Sequence, residues 1–158
     1  MLFTSTLLTT IGIMGTLILM LVTTVFIIAQ LRADNSVMDI AYGPIFVLSY
    51  WLTWWLIGMP GGLPLLVGCL VSIWGIRLGL RIGRKNWGAA EDARYAAWRK
   101  TWSEHGHLYF LLRSFIQINL LQGVIIMVVS APLWWVLAHP AAPTPWLLTL
   151  SVIIVLIG

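Results

Sequence analysis

Long uncharged apolar runs make up most of this sequence. The hydrocarbon core of a bilayer requires about 20 apolar residues in a helix. Four complete runs stand out in the sequence, and they are Leu7 to Ala29, Ile40 to Ile57, Leu63 to Ile76 and Phe115 to Ala138. They predict an all-α fold, a polytopic transmembrane helix bundle with four full spans. The short Gly/Pro turn between the second and third runs predicts a helical hairpin.

A fifth apolar run, Trp146 to Gly158, has only 13 residues. As a helix it would measure about 20 Å, which is less than the roughly 30 Å of hydrocarbon it would have to cross. We therefore expect a truncated fifth span. On this interpretation, residues 1–158 form a single integral membrane domain that is the N-terminal part of a longer one.

Composition excludes several classes of protein. Hydrophobic residues make up 60% of the chain and charged residues only 9%, which is incompatible with a water-soluble globule. The single cysteine, Cys69, lies in an apolar run and excludes a disulfide framework. The net charge of +4 is better explained by orientation in a bilayer than by nucleic-acid binding. His105 and His107 have no third ligand at a matching spacing, so no metal site is predicted.

The basic residues indicate the topology. Arg32 lies between the first two runs, and the other eight lie between the third and fourth: Arg77, Arg81, Arg84, Lys85, Arg94, Arg99, Lys100 and Arg113. By the positive-inside rule, loops 30–39 and 77–114 are cytoplasmic and the N-terminus is outside. We expect a bacterial inner-membrane protein with this orientation.

Three arginines at the end of the third run form a candidate anion site. Arg77, Arg81 and Arg84 are spaced by four and three residues, so they share one face if the helix continues. Their guanidinium groups suit the phosphate of a nucleotide or of a lipid. The alternative is that they only anchor the helix end in anionic lipid.

A second polar segment follows Gly88. Residues 89–102 predict a short cytoplasmic amphipathic helix, with Glu91, Tyr95, Trp98 and Trp102 along one stripe. The ionisable cluster at its start could hold a ribose, a carbonyl group or a proton relay. Pairing of Glu91 with Arg94 within the helix is the simpler alternative.

Polar residues within the predicted spans are further candidates. Asp39 begins the second span, where a carboxylate is either functional or a first-turn acid of the helix. Gln117, Asn119 and Gln122 lie in the fourth span. Because unpaired amides are expensive in lipid, they should face protein or a polar cavity, and we take them as candidate substrate-pocket residues. Bonding between helices is the alternative.

Several strings together resemble the bacterial branch of the steroid 5-alpha-reductase-like membrane proteins. They are Ser36–Gly43, Trp74–Leu78, Arg84–Asn86, Glu91–Tyr95 with Trp98 and Arg99, Gln122, and Ser130–Pro132. The resemblance implies a membrane reductase of about seven helices that takes hydride from NADPH and delivers it to a carbon–carbon double bond conjugated to a carbonyl group. Its substrate would be a hydrophobic, steroid-like or polyprenoid lipid.

The resemblance also implies roles for individual residues. Asp39, Tyr42 and Tyr95 are candidates for the catalytic acid that polarises the enone. The candidate cofactor-binding residues are Arg77, Arg81, Arg84, Asn86, Glu91, Asp92, Arg94 and Arg99. In this family the cofactor is held largely by the C-terminal half, so the NADPH site in these residues would be incomplete. A related membrane methyltransferase using S-adenosylmethionine and a non-enzymatic membrane protein are the competing hypotheses.

Overall fold

The computed structural model describes residues 2–86 and 88–140, together with positions 149 and 153. All regular structure in this described part is helical, as predicted. The first three helices are α1 (Leu2–Arg32), α2 (Val37–Leu56) and α3 (Leu63–Asn86). The prediction ended the third span at Ile76, but the helix continues for ten more residues and carries all three arginines.

Shorter helices follow. They are α4 (Ala93–Ser103), α5 (His107–Ser114), a π-helical turn (Phe115–Leu120), α6 (Leu121–Val129) and α7 (Ala131–Ala138). The predicted span from Phe115 to Ala138 is therefore displaced, because the helix begins at His107 and breaks at Ser130. Pro132 follows this break, and its ring nitrogen has no hydrogen to donate to a continuing helix. The predicted truncated span, 146–158, lies outside the described residues apart from two isolated positions.

The predicted hairpin is present, and it rests on close contact between α2 and α3. A Cβ atom built on Gly75 would lie 2.8 Å from the carbonyl oxygen of Gly43, so the two backbones touch. The connecting turn begins at Gly58, whose positive φ of 94° ends α2. The Gly58 N–H donates to the carbonyl of Trp55, which satisfies one of the last free carbonyls of the helix.

Aromatic side chains bind the two arms of the hairpin together. The hydroxyl of Tyr50 donates to the carbonyl of Pro64 at 2.6 Å, and the indole N–H of Trp51 donates to Ser72 Oγ at 2.8 Å. Trp54 donates to the carbonyl of Pro60 in the turn at 2.8 Å. Each ring thus buries its apolar body while its polar atom finds a partner.

Helix α1 packs against the π-helical turn and α6. The ring of Phe26 meets that of Phe115 edge to face at 5.2 Å, and Gly123 lets Val22 approach closely. Since α1 leads into α2 through only four residues, 33–36, the C-terminal end of α1 lies beside the start of α2. The polar segments of the chain gather at this end of the bundle.

Three helical stretches are long and apolar enough to cross a membrane, and they are Ser5–Arg32, Leu63–Asn86 and His107–Val129. This finding agrees with the prediction of an integral membrane protein. Helix α2 has 20 residues but is not among the three. Its first-turn Asp39 and its tyrosine and tryptophan residues lower its mean hydropathy.

Candidate functional site

Two polar segments that are far apart in sequence dock against each other at this end of the bundle. One runs through Asn35 and Ser36 into the first turn of α2, and the other runs through Glu91 and Asp92 into α4. Three hydrogen bonds join them, and each links residues 56 positions apart. The two segments therefore pair in a fixed register along their length.

Glu91 lies in the loop before α4 and binds both the Asn35 segment and a side chain of α4. Its carboxylate accepts the Asn35 N–H at 2.8 Å and a two-pronged interaction from Arg99, at 2.8 and 2.9 Å. The side chain is only 11% exposed. Because Glu91 precedes the first turn of α4, its predicted intrahelical pairing with Arg94 is wrong, and the carboxylate reaches across to Arg99 instead.

Asp92 is the N-cap of α4, so this helix begins at Ala93, four residues later than the prediction. Its side chain accepts the Arg94 backbone N–H at 2.9 Å, as N-cap carboxylates do. Its own N–H donates to Ser36 Oγ at 2.8 Å. The start of α4 is thereby fixed to the segment that leads into α2.

Asp39 is the centre of the polar cluster. Its carboxylate accepts the Tyr95 hydroxyl at 2.7 Å and the Gln122 amide at 3.4 Å, and it forms an ion pair with Arg94 at 3.5 Å. The Gln122 amide also lies 3.3 Å from the Tyr95 hydroxyl oxygen. Three helices, α2, α4 and α6, thus contribute to one cluster around a carboxylate that keeps 25% of its side chain exposed.

The contacts of the cluster shift the pKa values of Tyr95, Asp92 and Arg94. Burial raises the pKa of the Tyr95 hydroxyl above its usual range, and the adjacent Asp39 carboxylate raises it further. Hydrogen bonding to Arg94 lowers the pKa of Asp92, and Asp92 in turn raises the pKa of Arg94. At neutral pH, Tyr95 is therefore a protonated donor, and Asp92 and Arg94 are both charged.

A pocket of about 310 Å³ opens beside this cluster. The side chains that line it are Asp39, Tyr42, Ile82, Lys85, Asn86, Asp92 and Arg94. Five of these were predicted from the sequence as functional residues, namely Asp39, Tyr42, Asn86, Asp92 and Arg94. The pocket combines two cations, two carboxylates, an amide and a phenol, which together can bind a polar ligand group.

The predicted cofactor-binding residues do not all lie at this pocket. Arg77, Arg81 and Arg84 line a separate groove on another face of α3. Arg99 is engaged by Glu91 and lies over the ring of Phe110 at 4.9 Å. Glu91 does not line the pocket either, and of the predicted set only Asn86, Asp92 and Arg94 contribute to it.

The three amides of the predicted substrate pocket are also separated. Gln122 belongs to the cluster around Asp39, whereas Gln117 is exposed and accepts a 3.4 Å hydrogen bond from Arg113. The expectation that Gln117 faces protein or a polar cavity stays a prediction. Asn119 is fully buried in the π-helical turn, where its amide donates to the Ser114 carbonyl at 3.3 Å.

Lys85 is the charged pocket residue that the sequence prediction left out, and Ile82 is the apolar one. Lys85 stands next to Asn86, but on a different helical face from Arg84, and with Ile82 it completes an i, i+3, i+4 stripe. That spacing is visible in the sequence, since the basic run Arg77 to Lys85 divides into two faces once the helix is known to continue. Asn35 and Ser36 were likewise not assigned roles, because their partners are distant in sequence.

Comparison with known proteins adds a family. No curated protein and no solved structure matches the chain. A family model described as a protein of unknown function, DUF1295, matches residues 25–158. This range includes every residue of the cluster and of the pocket beside it. Because the match covers most of the sequence, the chain belongs to the DUF1295 family.

Proposed function

We propose that this chain contributes to a membrane-embedded reductase that uses NADPH to reduce a carbon–carbon double bond conjugated to a carbonyl group in a steroid-like or polyprenoid lipid. The observation that carries the proposal is the Asp39 cluster, in which a partly exposed carboxylate is held by a phenol, an amide and a guanidinium beside a pocket. Charged groups at a membrane boundary are expensive and are often functional. The resemblance to steroid 5-alpha-reductase-like proteins supplies the reaction class.

The pocket suits part of a ligand better than a whole dinucleotide. Its volume of about 310 Å³ is at the lower end of the range for small-molecule sites. Lys85, Asn86 and Arg94 fit a phosphate or a carboxamide, since they offer two cations and an amide to the pocket. NADPH, when bound, would supply the hydride.

The chain's own residues would position and polarise the substrate. The Tyr42 hydroxyl lines the pocket and makes no hydrogen bond within the described residues, so it is available to donate to a substrate carbonyl oxygen. Such a donor stabilises the negative charge that develops on the oxygen as the double bond is reduced. Tyr95 would act indirectly, because its hydroxyl holds the Asp39 carboxylate in place.

The topology we propose places this site at the cytoplasmic surface. Helix α2 lies antiparallel to α3 along its length and has 20 residues, or about 30 Å, so we count it as a fourth full span. With the N-terminus outside, loops 30–39 and 77–114 lie in the cytoplasm of a bacterial cell, where a soluble nucleotide is available. Helix α4 would rest in the interface.

Cysteine labelling tests the topology. In a Cys69→Ser background, Gly61→Cys in the hairpin turn should react with a membrane-impermeant maleimide on intact cells. Ala97→Cys on α4 should react only after the membrane is opened. The reverse pattern would contradict the orientation and place the pocket outside.

Ligand binding tests the function. The purified chain in detergent should show saturable quenching of its ten tryptophans by NADPH, and weaker responses to NADH and S-adenosylmethionine. Loss of one cation from the pocket, by Lys85→Gln or Arg94→Gln, should weaken NADPH binding about ten-fold. Lys100→Gln removes the same charge from the exposed part of α4 and serves as the matched control.

Two results would overturn the proposal. Saturable binding of S-adenosylmethionine without a response to NADPH would indicate the methyltransferase instead. If Lys85→Gln and Arg94→Gln bound NADPH as tightly as the control Lys100→Gln, the cofactor would not use this pocket.

A further inference from the structure

A second cationic surface lies on a different face of α3 from the pocket. Arg77, Arg81 and Arg84 line one groove of about 740 Å³, together with Ser72, Ile73, Ile76 and Leu80. This groove shares no lining residue with the pocket beside Asp39. It is therefore a separate feature that the proposed reductase site does not use.

The three arginines have no acidic partner within the described residues. The ion pairs of that part of the chain involve only Arg94 and Arg99. Helix α3 itself contains no aspartate or glutamate. All three side chains are exposed, so the groove presents three uncompensated positive charges. The first and last of them are seven positions apart, which is about 10 Å along the helix axis.

The groove is amphipathic along its length. Its apolar members, Ile73, Ile76 and Leu80, begin nearer the hairpin turn, and its arginines continue to the last turn of the helix. Ser72 already donates to the Gly68 carbonyl and accepts from Trp51, so its hydroxyl is occupied. A ribose or a base would find few polar partners on the apolar part, whereas an acyl chain fits it.

We infer that this groove binds an anionic phospholipid, with the phosphate between the three arginines and an acyl chain along the isoleucine and leucine side chains. The groove lies on a helix long and apolar enough to span the membrane, at the end where its charges are concentrated. Arginine suits this role because its stem packs on apolar surface while its guanidinium fork binds phosphate oxygens. The resemblance implied that these arginines hold a cofactor, and the groove's apolar lining favours lipid.

Native mass spectrometry of the detergent-purified chain tests the inference. Phosphatidylglycerol should remain bound through delipidation conditions that remove phosphatidylcholine. The variant R77Q/R81Q/R84Q should bind phosphatidylglycerol on the order of 100-fold more weakly. Each arginine near an anionic surface contributes about five-fold to the binding affinity. The control R32Q/K100Q/R113Q removes three positive charges elsewhere and should bind as the wild type does.

Further variants and competing ligands distinguish a lipid site from a site for free phosphate, and a loss of binding from misfolding. R77K/R81K/R84K keeps the charge but loses the two-pronged geometry, and we expect intermediate binding. The single variants R77Q, R81Q and R84Q should each weaken binding about five-fold, which gives a readout if the triple variant does not fold. Inorganic phosphate and NADPH, each in excess, should not displace the lipid.

Three outcomes would overturn the inference. Equal loss in the control variant would mean that net charge alone decides binding. Unchanged lipid retention in the groove variants would place the lipid elsewhere. Displacement of the lipid by NADPH from both the wild type and the control variant would identify the groove as a nucleotide site. None of these outcomes depends on whether the pocket beside Asp39 binds NADPH.

Discussion

The hydroxyl of Tyr95 donates a 2.7 Å hydrogen bond to the carboxylate of Asp39, which stands 56 positions earlier in the chain. Tyr95 is 4% exposed, so the donor side of this bond is shielded from water. It ties the short helix α4 to the first turn of α2 at the point where a cavity opens. Helix α4 and the rest of the helical bundle are therefore joined through these two residues.

Removing the Tyr95 hydroxyl should weaken the fold measurably. Tyr95→Phe keeps the ring but loses the bond to Asp39, and buried hydrogen bonds to charged groups contribute about 2 kcal/mol to stability. We expect a decrease of that size in the free energy of unfolding, measured by denaturing-detergent titration in mixed micelles. Tyr109→Phe is the control, since that hydroxyl is on an exposed side chain and accepts only from Arg113. Equal effects in the two variants would contradict a special role for the buried bond.

The contribution of Tyr95 should also depend on pH in a defined direction. The pKa of Tyr95 is raised in the folded state, so its hydroxyl stays protonated when tyrosines of the unfolded chain ionise near pH 10. The stabilisation is fully present below about pH 10 and is lost as the pH rises towards the folded pKa. The difference in unfolding free energy between wild type and Tyr95→Phe should therefore be constant from neutral pH to about 10 and shrink above it. A difference that grows with pH would contradict the assignment.

The two acids before α4 should differ in their contribution to stability. Glu91→Gln removes the partner of Arg99 and weakens the contact with Asn35, and it should destabilise the chain by about 2–3 kcal/mol, because the pair is mostly shielded from solvent. Asp92→Asn should change stability by no more than about 1 kcal/mol, since its pair with Arg94 is exposed and asparagine also caps helices. The free energies of unfolding of the two variants, measured under identical detergent conditions, test this difference. A larger loss for Asp92→Asn would show that the cap, and not Glu91, holds the segment.

Features that depend on local spacing were predictable from the sequence. The hairpin followed from two apolar runs around a Gly/Pro turn, and the shared face of Arg77, Arg81 and Arg84 followed from helical periodicity. The ring stripe on α4 is also present, with Trp98 stacked on Trp102 at 5.5 Å. In each case the residues that determine the feature lie close together in the sequence, so no contact with a distant residue has to be known.

Features that depend on distant partners were not predictable. Glu91 and Asp92 before a helical pattern are typical of a first turn, but here both lie outside α4 because Asn35 and Ser36 bind them. Gln117 and Gln122 look equivalent in an apolar run, yet the intervening π-helical turn changes the faces they present. Only Gln122 reaches Asp39, which is 83 positions away.

The contact between Gly43 and Gly75 should limit which side chains the α2–α3 hairpin accepts. A Cβ atom at Gly43 would overlap the carbonyl oxygen of Gly75, and a backbone atom cannot move aside without separating the helices. Gly43→Ala should therefore lower the free energy of unfolding by about 3 kcal/mol. Gly12→Ala is the matched control within α1, because no atom lies within 4 Å of its added Cβ. That variant should be neutral or more stable by up to about 1 kcal/mol, since alanine favours the helix. If the two substitutions gave the same change in detergent titration, close backbone packing would not be what holds the hairpin together.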